Sequence, residues 1–290
     1  MGSFQFLHGE VFKSELFQGI KSTGVFEWIP SPLPRDYVIG LDWQYTVVEK
    51  GFKYFLLGDT SGQGWFHYYF VSFFVKSPVV LLLFLGAAFF CSLRYGQDRL
   101  QLLVLIPILL FPLYFSVFKI SRGIRYLLPI YPLLFVWISR MAAWNPERVI
   151  RRFKWLFLAL LFFIIAESLW VRPHYLAYFN AAVGGPSQGQ NYLYESEFDW
   201  GQELKGLAAY LQRNKIDRIK FAYFGTADPR HYGIDFEYLQ CLPPQPTGGL
   251  IAISATALQV WGCFDWLKQY EPVDKVGYTI FIYDLPPVED

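Results

Sequence analysis

The sequence predicts an α-helical multi-pass membrane protein, with about four transmembrane helices followed by a small α/β soluble domain. Three observations lead there. Charged residues make up 17% of the chain, against about a quarter in an average soluble protein, while 54% is apolar and 20% aromatic. The long apolar stretches gather in residues 65–171, between mixed sequence at 1–64 and 173–290. Beyond 171, short β-forming runs alternate with helical patterns, the signature of an α/β unit. A net charge of +1 lacks the basic surplus of a general nucleic-acid binder, so no nucleic-acid partner is expected.

A helix needs about 20 mostly apolar residues to cross the hydrocarbon core. The segments 77–93, 100–118, 124–143 and 153–171 meet that test. In the first, Ser77 is expected as N-cap and Pro78 at the first helical position. Pro107 and Pro112 are expected to kink the second, and the third also carries two prolines. Glu167 falls near the end of the fourth, within reach of the interface. Ahead of them, WFHYYFVSFFVK (65–76) reads as an interfacial aromatic segment or as an extension of the first helix.

Short loops retain Lys and Arg on the cytoplasmic side. Arg94, Arg99, Arg140, Arg148, Arg151, Arg152 and Lys154 share one side, with the densest cluster between spans three and four. Lys119, Arg122 and Arg125, with Lys76 and Arg172 at flanking ends, occupy the other. This places residues 1–76 and 172–290 outside the cytoplasm and the four-helix region, 77–171, between them. The first residues have neither a basic n-region nor an apolar h-region, so export of residues 1–76 is expected to depend on upstream spans.

Residues 1–76 read as a turn-rich outer loop region ending in the interfacial segment, and Asp36, Asp42, Glu49 and Asp59 as solvated loop acids. In the C-terminal domain, IKFAYFG (219–225), LIAISAT (250–256) and YTIFIYDL (278–285) read as strands, and FDWLKQY (264–270) as a short helix. In SEFDWGQELKGLAAYLQRNK, Asp199 followed by Gln202 has capping-box spacing, and Leu204, Leu207, Ala208 and Leu211 share a helical face. Glu195, Glu197 and Asp199 read as capping or solvated acids.

Cys91 lies in an apolar run as a small buried hydrophobe. Cys241 and Cys263 share the C-terminal region and can pair if it lies outside the cytoplasm; the sequence leaves pairing and free thiols both open. His8, His67, His174 and His231 are dispersed without ligand spacing, so neither a metal nor a cofactor is expected. No phosphate-binding glycine motif and no GxSxG elbow occurs.

Four segments follow one another in a familiar order: YFLLGDTSGQGWFHYYFVSFFVKSPVVLLL, RYLLPIYPLLF, YFNAAVGGPSQGQNYLYESEFDWGQELKGLAAYL and YFGTADPRHYGI. From about residue 30 to the end, the chain resembles the C-terminal half of bacterial family-39-type glycosyltransferases. These are GT-C enzymes related to protein O-mannosyltransferases and lipid A aminoarabinose transferases. The resemblance implies a partial GT-C fold in the bacterial inner membrane and sugar transfer from a polyprenyl-phosphate carrier to an acceptor on the outer face. It also implies that the acidic catalytic loop lies upstream, and no residue of this sequence matches it. The partners implied are the lipid bilayer, the polyprenyl-phosphate sugar, and the missing N-terminal half or a partner membrane subunit.

Arginine offers a planar fork of donors suited to phosphate, and lysine a compact charge. Arg125, then Lys76, then Arg122 are therefore the candidate lipid-phosphate ligands, with Arg125 and Lys76 converging from different helices. The same cations can instead snorkel to headgroups, with Tyr126 and Tyr131 in the aromatic belt. The competing functional class is a non-catalytic membrane module that binds a lipid carrier or scaffolds a partner complex. A transporter subunit fits less well, since no span has a central ionisable residue.

Overall fold

The computed structural model describes residues 9–25, 33–50, 54–96, 99–117, 121–143, 146–194, 197–241 and 246–287. Lys119, Glu195 and His8 lie outside the described residues, as do the side chains of Arg148, Arg151 and Arg152. The chain divides into two compact units, residues 1–53 with 61–63, and residues 54–60 with 64–290.

The first unit is helical, which corrects the reading of this stretch as an extended loop. Helices α1 (Glu15–Ser22) and α2 (Arg35–Lys50) pack around Phe12, Phe17 and Val38. Asp42 is buried, not solvated: Oδ1 accepts the Ser14 N–H at 2.9 Å and the Ser14 hydroxyl at 2.6 Å, and Oδ2 accepts the Lys13 N–H at 2.8 Å. Glu49 accepts the Glu15 N–H at 2.8 Å and the Leu16 N–H at 3.3 Å. The two acids satisfy N–H groups that the start of α1 leaves without helical partners.

A short hairpin, β1 (Tyr54–Leu56) and β2 (Asp59–Ser61), precedes the apolar helices. These are α3 (Tyr68–Lys76), α4 (Val79–Tyr95), α5 (Arg99–Val117), α6 (Tyr131–Ser139) and α7 (Pro146–Val171). Among the described residues two stretches are long and apolar enough to cross a membrane, Arg99–Val117 and Lys154–Val171. A third qualifies if α3 and α4, bent by 113° at their junction, count as one. Ser77 is not the N-cap of α4. It ends α3, giving its N–H to Phe73 O at 3.0 Å, and Pro78 stands at the cap of α4. Helix α5 runs through Pro107 and Pro112 without a break.

The stretch expected as the third span is divided. Residues Ile124–Ile130 wind as a 3-10 helix, Tyr131–Ser139 as α6, and Arg140–Ala143 again as 3-10. Pro129 and Pro132 withhold two backbone donors over one turn, which breaks the regular i→i−4 ladder there. The apolar α-helical part is correspondingly short.

The C-terminal part holds a five-stranded mixed sheet in the order β4-β3-β5-β7-β6. Its elements are α8 (Leu204–Arg213), β3 (Ile219–Ala222), β4 (Phe236–Tyr238), β5 (Gly249–Ser254), α9 (Ala255–Val260), β6 (Asp274–Val276) and β7 (Ile280–Leu285). Strand β3 pairs parallel with β4 and β5, while β7 runs antiparallel to β5 and β6. Alternation divides the core. Ala252, Ile280 and Ile282 meet Leu204, Leu207 and Leu211 of α8 on one face. Ile251, Ile253, Phe281 and Tyr283 pack with Leu258, Phe264 and Leu267 on the other. The sequence foresaw the central strands but not the three-residue strands β4 and β6. Helix α8 begins at Leu204, with Glu203 at its cap, so Asp199 and Gln202 do not form the expected capping box. Residues Asp265–Gln269 form a 3-10 turn. A disulfide joins Cys241 to Cys263, with Cα atoms 5.3 Å apart, and Cys91 is a half-buried free thiol.

Two stability outcomes follow. Burial disfavours the Asp42 charge, but the Ser14 hydroxyl and the Lys13 and Ser14 N–H groups outweigh it and hold its pKa below the ordinary value. Its stabilisation is thus complete above the unfolded-state pKa and is lost as pH falls through the folded value. Asp42→Ala should cost about 1–2 kcal/mol and speed amide exchange in residues 13–22 at neutral pH. Replacing Cys241 and Cys263 by Ser should lower stability by about 3 kcal/mol, read as the urea midpoint of the C-terminal sheet.

Candidate functional site

The glycine-bearing turn before the 3-10 helix sets the site. Gly123, at φ 100°, turns the chain in a region unfavourable to other residues, and Ile124 and Arg125 follow directly. The Ile124 N–H donates to Glu197 Oε1 at 2.5 Å. The same oxygen accepts the Ser72 hydroxyl of α3 at 2.5 Å. Glu197 is 2% exposed, which overturns its reading as a capping or solvated acid. Nothing in its local sequence signals this, because its partners are 73 and 125 residues away.

The expected phosphate ligands separate. Lys76 turns its ammonium to the backbone oxygens of Leu176, at 3.0 Å, and Glu197, and lies over the Phe179 ring at 4.2 Å. Arg125 is exposed, its guanidinium carbon 5.7 Å from the Trp200 ring centroid and 5.6 Å from that of Tyr126. Arg122 is half-buried just before the turn. Tyr131, on the buried side, bonds Ser77 Oγ at 2.9 Å. The segment SEFDWGQELK therefore meets RYLLPIYP at Arg125–Trp200 and the residue just before it at Ile124–Glu197.

Asn180, which the sequence did not single out, braces the bend between α3 and α4. Its N–H donates to Val75 O at 2.9 Å, and Nδ2 to Phe74 O at 2.5 Å and Ser77 O at 2.9 Å. These carbonyls lie at the end of α3, where helical partners run out. Glu167 is buried in α7 and accepts the Ala181 N–H at 3.2 Å.

Two further acids fix the strap that carries Trp200. Asp199 is fully buried, another departure from the solvated reading, and accepts the Gly201 N–H at 3.0 Å and the Thr256 N–H at 3.1 Å. Burial pushes its pKa up to about 6, against the opposing pull of the Thr256 and Gly201 donors. Gly201 adopts φ 73°, and a Cβ there would run into the Tyr223 ring, whose hydroxyl donates to Gly201 O at 3.1 Å. Glu203 lies 2.6 Å from His174 Nδ1, in a pair no histidine spacing announced. Burial raises the Glu203 pKa although His174 pulls the other way.

Chemically, the site offers one exposed guanidinium on an aromatic shelf. Glu167, Glu197, Asp199 and Glu203 are each engaged by groups of the chain itself. Among the described residues no group of three or more His, Cys, Asp or Glu side chains is placed to hold a metal ion. No family model, no curated protein and no solved structure matches the chain.

The raised pKa values of Asp199 and Glu203 set a pH dependence. Each group holds its proton more tightly folded than unfolded. Its favourable contribution is complete below the unfolded-state value and is lost as pH rises through the folded one, about 6 for Asp199. The urea midpoint of the C-terminal sheet should gain a component that falls between about pH 4 and pH 6, and Asp199→Asn should flatten it.

Proposed function

We propose that the chain is the carrier-binding part of a membrane glycosyltransferase that takes its sugar from a polyprenyl-phosphate carrier. One observation carries the reading. Arg125 presents an exposed guanidinium at the head of a segment whose Leu128, Phe135 and Val136 are 50–57% exposed. A lipid phosphate needs a cation for its headgroup and an apolar surface for its tail, in that order. The membrane reading draws support from Leu103, Ile106, Leu109 and Leu110 on α5, and Phe162 and Leu169 on α7, all exposed. Apolar surface of that extent signals contact with lipid or protein. On this reading α3 and α4 form a broken span, α6 completes a four-span core, and the C-terminal sheet lies on the outer face.

Arg125 takes the phosphate, while Lys76 acts from behind by holding the Glu197 and Leu176 carbonyls. Cationic neutralisation of the leaving phosphate would favour transfer. The base that activates the acceptor is assigned to no residue here. The internal engagement of the four buried acids favours, as the second reading, a module that binds the carrier without catalysing transfer.

Membranes bearing the chain are incubated with radiolabelled polyprenyl-phosphate sugar. Carrier binding, with transfer only when a polypeptide supplying the acidic catalytic loop is co-expressed, supports the enzyme part. Carrier binding without transfer in either case supports the module, and no carrier binding sinks the reading. In phosphatidylcholine vesicles with and without polyprenyl phosphate, Arg125→Ala should weaken carrier-dependent binding about 10–100-fold, as expected for a charge-assisted hydrogen bond. Arg125→Lys should recover only part, because the ammonium lacks the bidentate fork.

A further inference from the structure

We propose that Glu197 is the positioning residue for Arg125: its buried carboxylate holds the Ile124 N–H, which aims the next side chain, while its own strap supplies Trp200 as the shelf. The inference rests on Arg125 being the phosphate ligand, and it adds how that ligand is set.

A guanidinium at the end of a long side chain is directed by its backbone. Here the backbone enters through Gly123, a residue that tolerates many conformations, so an external hold is required. Glu197 provides it at the amide immediately before Arg125. The carboxylate is itself anchored by Ser72 of α3, and its residue's carbonyl by Lys76. Three residues further on, Trp200 meets the guanidinium. Between them Asp199 ties the strap to Thr256, at the start of α9. The strap thus connects the sheet to the cation turn. A movement of β5 and α9 would reach Arg125 through Asp199 and Trp200, and a movement of α3 would reach it through Glu197.

A merely structural role predicts general loosening; a positioning role predicts a local effect that depends on Arg125. Two measurements separate them, both on the full chain in phosphatidylcholine vesicles. In the first, amide exchange of the peptide covering residues 121–128 should quicken in Glu197→Ala while strand Gly249–Ser254 stays protected. Asp42→Asn, altering a buried acid that bonds Ser14, should leave the 121–128 peptide as in the parent. In the second, Glu197→Ala should weaken carrier-dependent binding about tenfold in the parent and add no further loss in Arg125→Ala. Should Glu197→Ala not fold, Glu197→Gln retains an acceptor oxygen and should shift both readouts the same way by less.

Unchanged exchange at 121–128, or binding losses that simply add, would overturn the proposal. If Arg125→Ala binds the carrier as the parent does while Glu197→Ala still loosens the turn, the carrier reading fails and the hold of Glu197 on the turn stands.

Discussion

A carboxylate withdrawn from water must be surrounded by donors, and meeting that demand at Glu197 joins α3, the turn before Arg125 and the strap that carries Trp200. Burying such a group without partners costs several kcal/mol. Glu197 meets the requirement with a hydroxyl from α3 and an amide from the turn before Arg125. Neither donor is a near neighbour in sequence, so satisfying the carboxylate draws three distant segments together. Lys76 reinforces it through the carbonyl of the same residue. Removing any one member would leave another buried group unpaired, which is costlier than never having made the contact.

The bend between α3 and α4 follows the same logic. A sharp turn leaves carbonyls at the helix end without helical donors. Asn180 supplies its backbone N–H and its side-chain amide to three of them. The described chain from Val171 to Glu203 has little regular structure beyond short 3-10 turns, yet its polar groups bond it to several neighbouring elements. It braces the bend through Asn180, meets α7 at Glu167, pairs His174 with Glu203, and reaches the sheet through Asp199. Irregular backbone is ordered here by side-chain acceptors and donors in place of ladders.

What the sequence displayed and what it concealed divide along the range of the interactions. Strands β3, β5 and β7 were legible because β-forming residues alternate locally and the turns around them are marked. Strands β4 and β6 exist only by pairing with neighbours, so three residues such as Asp274–Val276 give no signal alone. Helix α2 was hidden by polar residues on its inner side, where Asp42 and Thr46 are buried one turn apart. The run EFDWGQE resembles a helix start, so Glu197 and Asp199 read there as capping or solvated acids. Their true partners, at Ser72, Ile124 and Thr256, lie beyond the reach of any local pattern. Apolar length suggested a span at 124–143, but Pro129 and Pro132 decide the winding there.

Two cations expected to converge on one phosphate have taken opposite positions, and their chemistry explains why. The ammonium of Lys76 is compact, with donors that diverge, so it can join two carbonyls and an aromatic face at once. Once so placed, it has little left to offer a ligand. A guanidinium is flat: it can approach an indole or phenol ring while its N–H groups remain directed outward at its edge. Arg125 stands near Trp200 and Tyr126 in that manner, held yet exposed. Exchanging the two residue types would therefore damage both places, with a planar fork lacking room among the carbonyls and an ammonium losing its fixed direction at the turn. Lys76 and Arg125 are thus not a charge cluster with one task, since position on the buried or the open side of the strap divides the work between them.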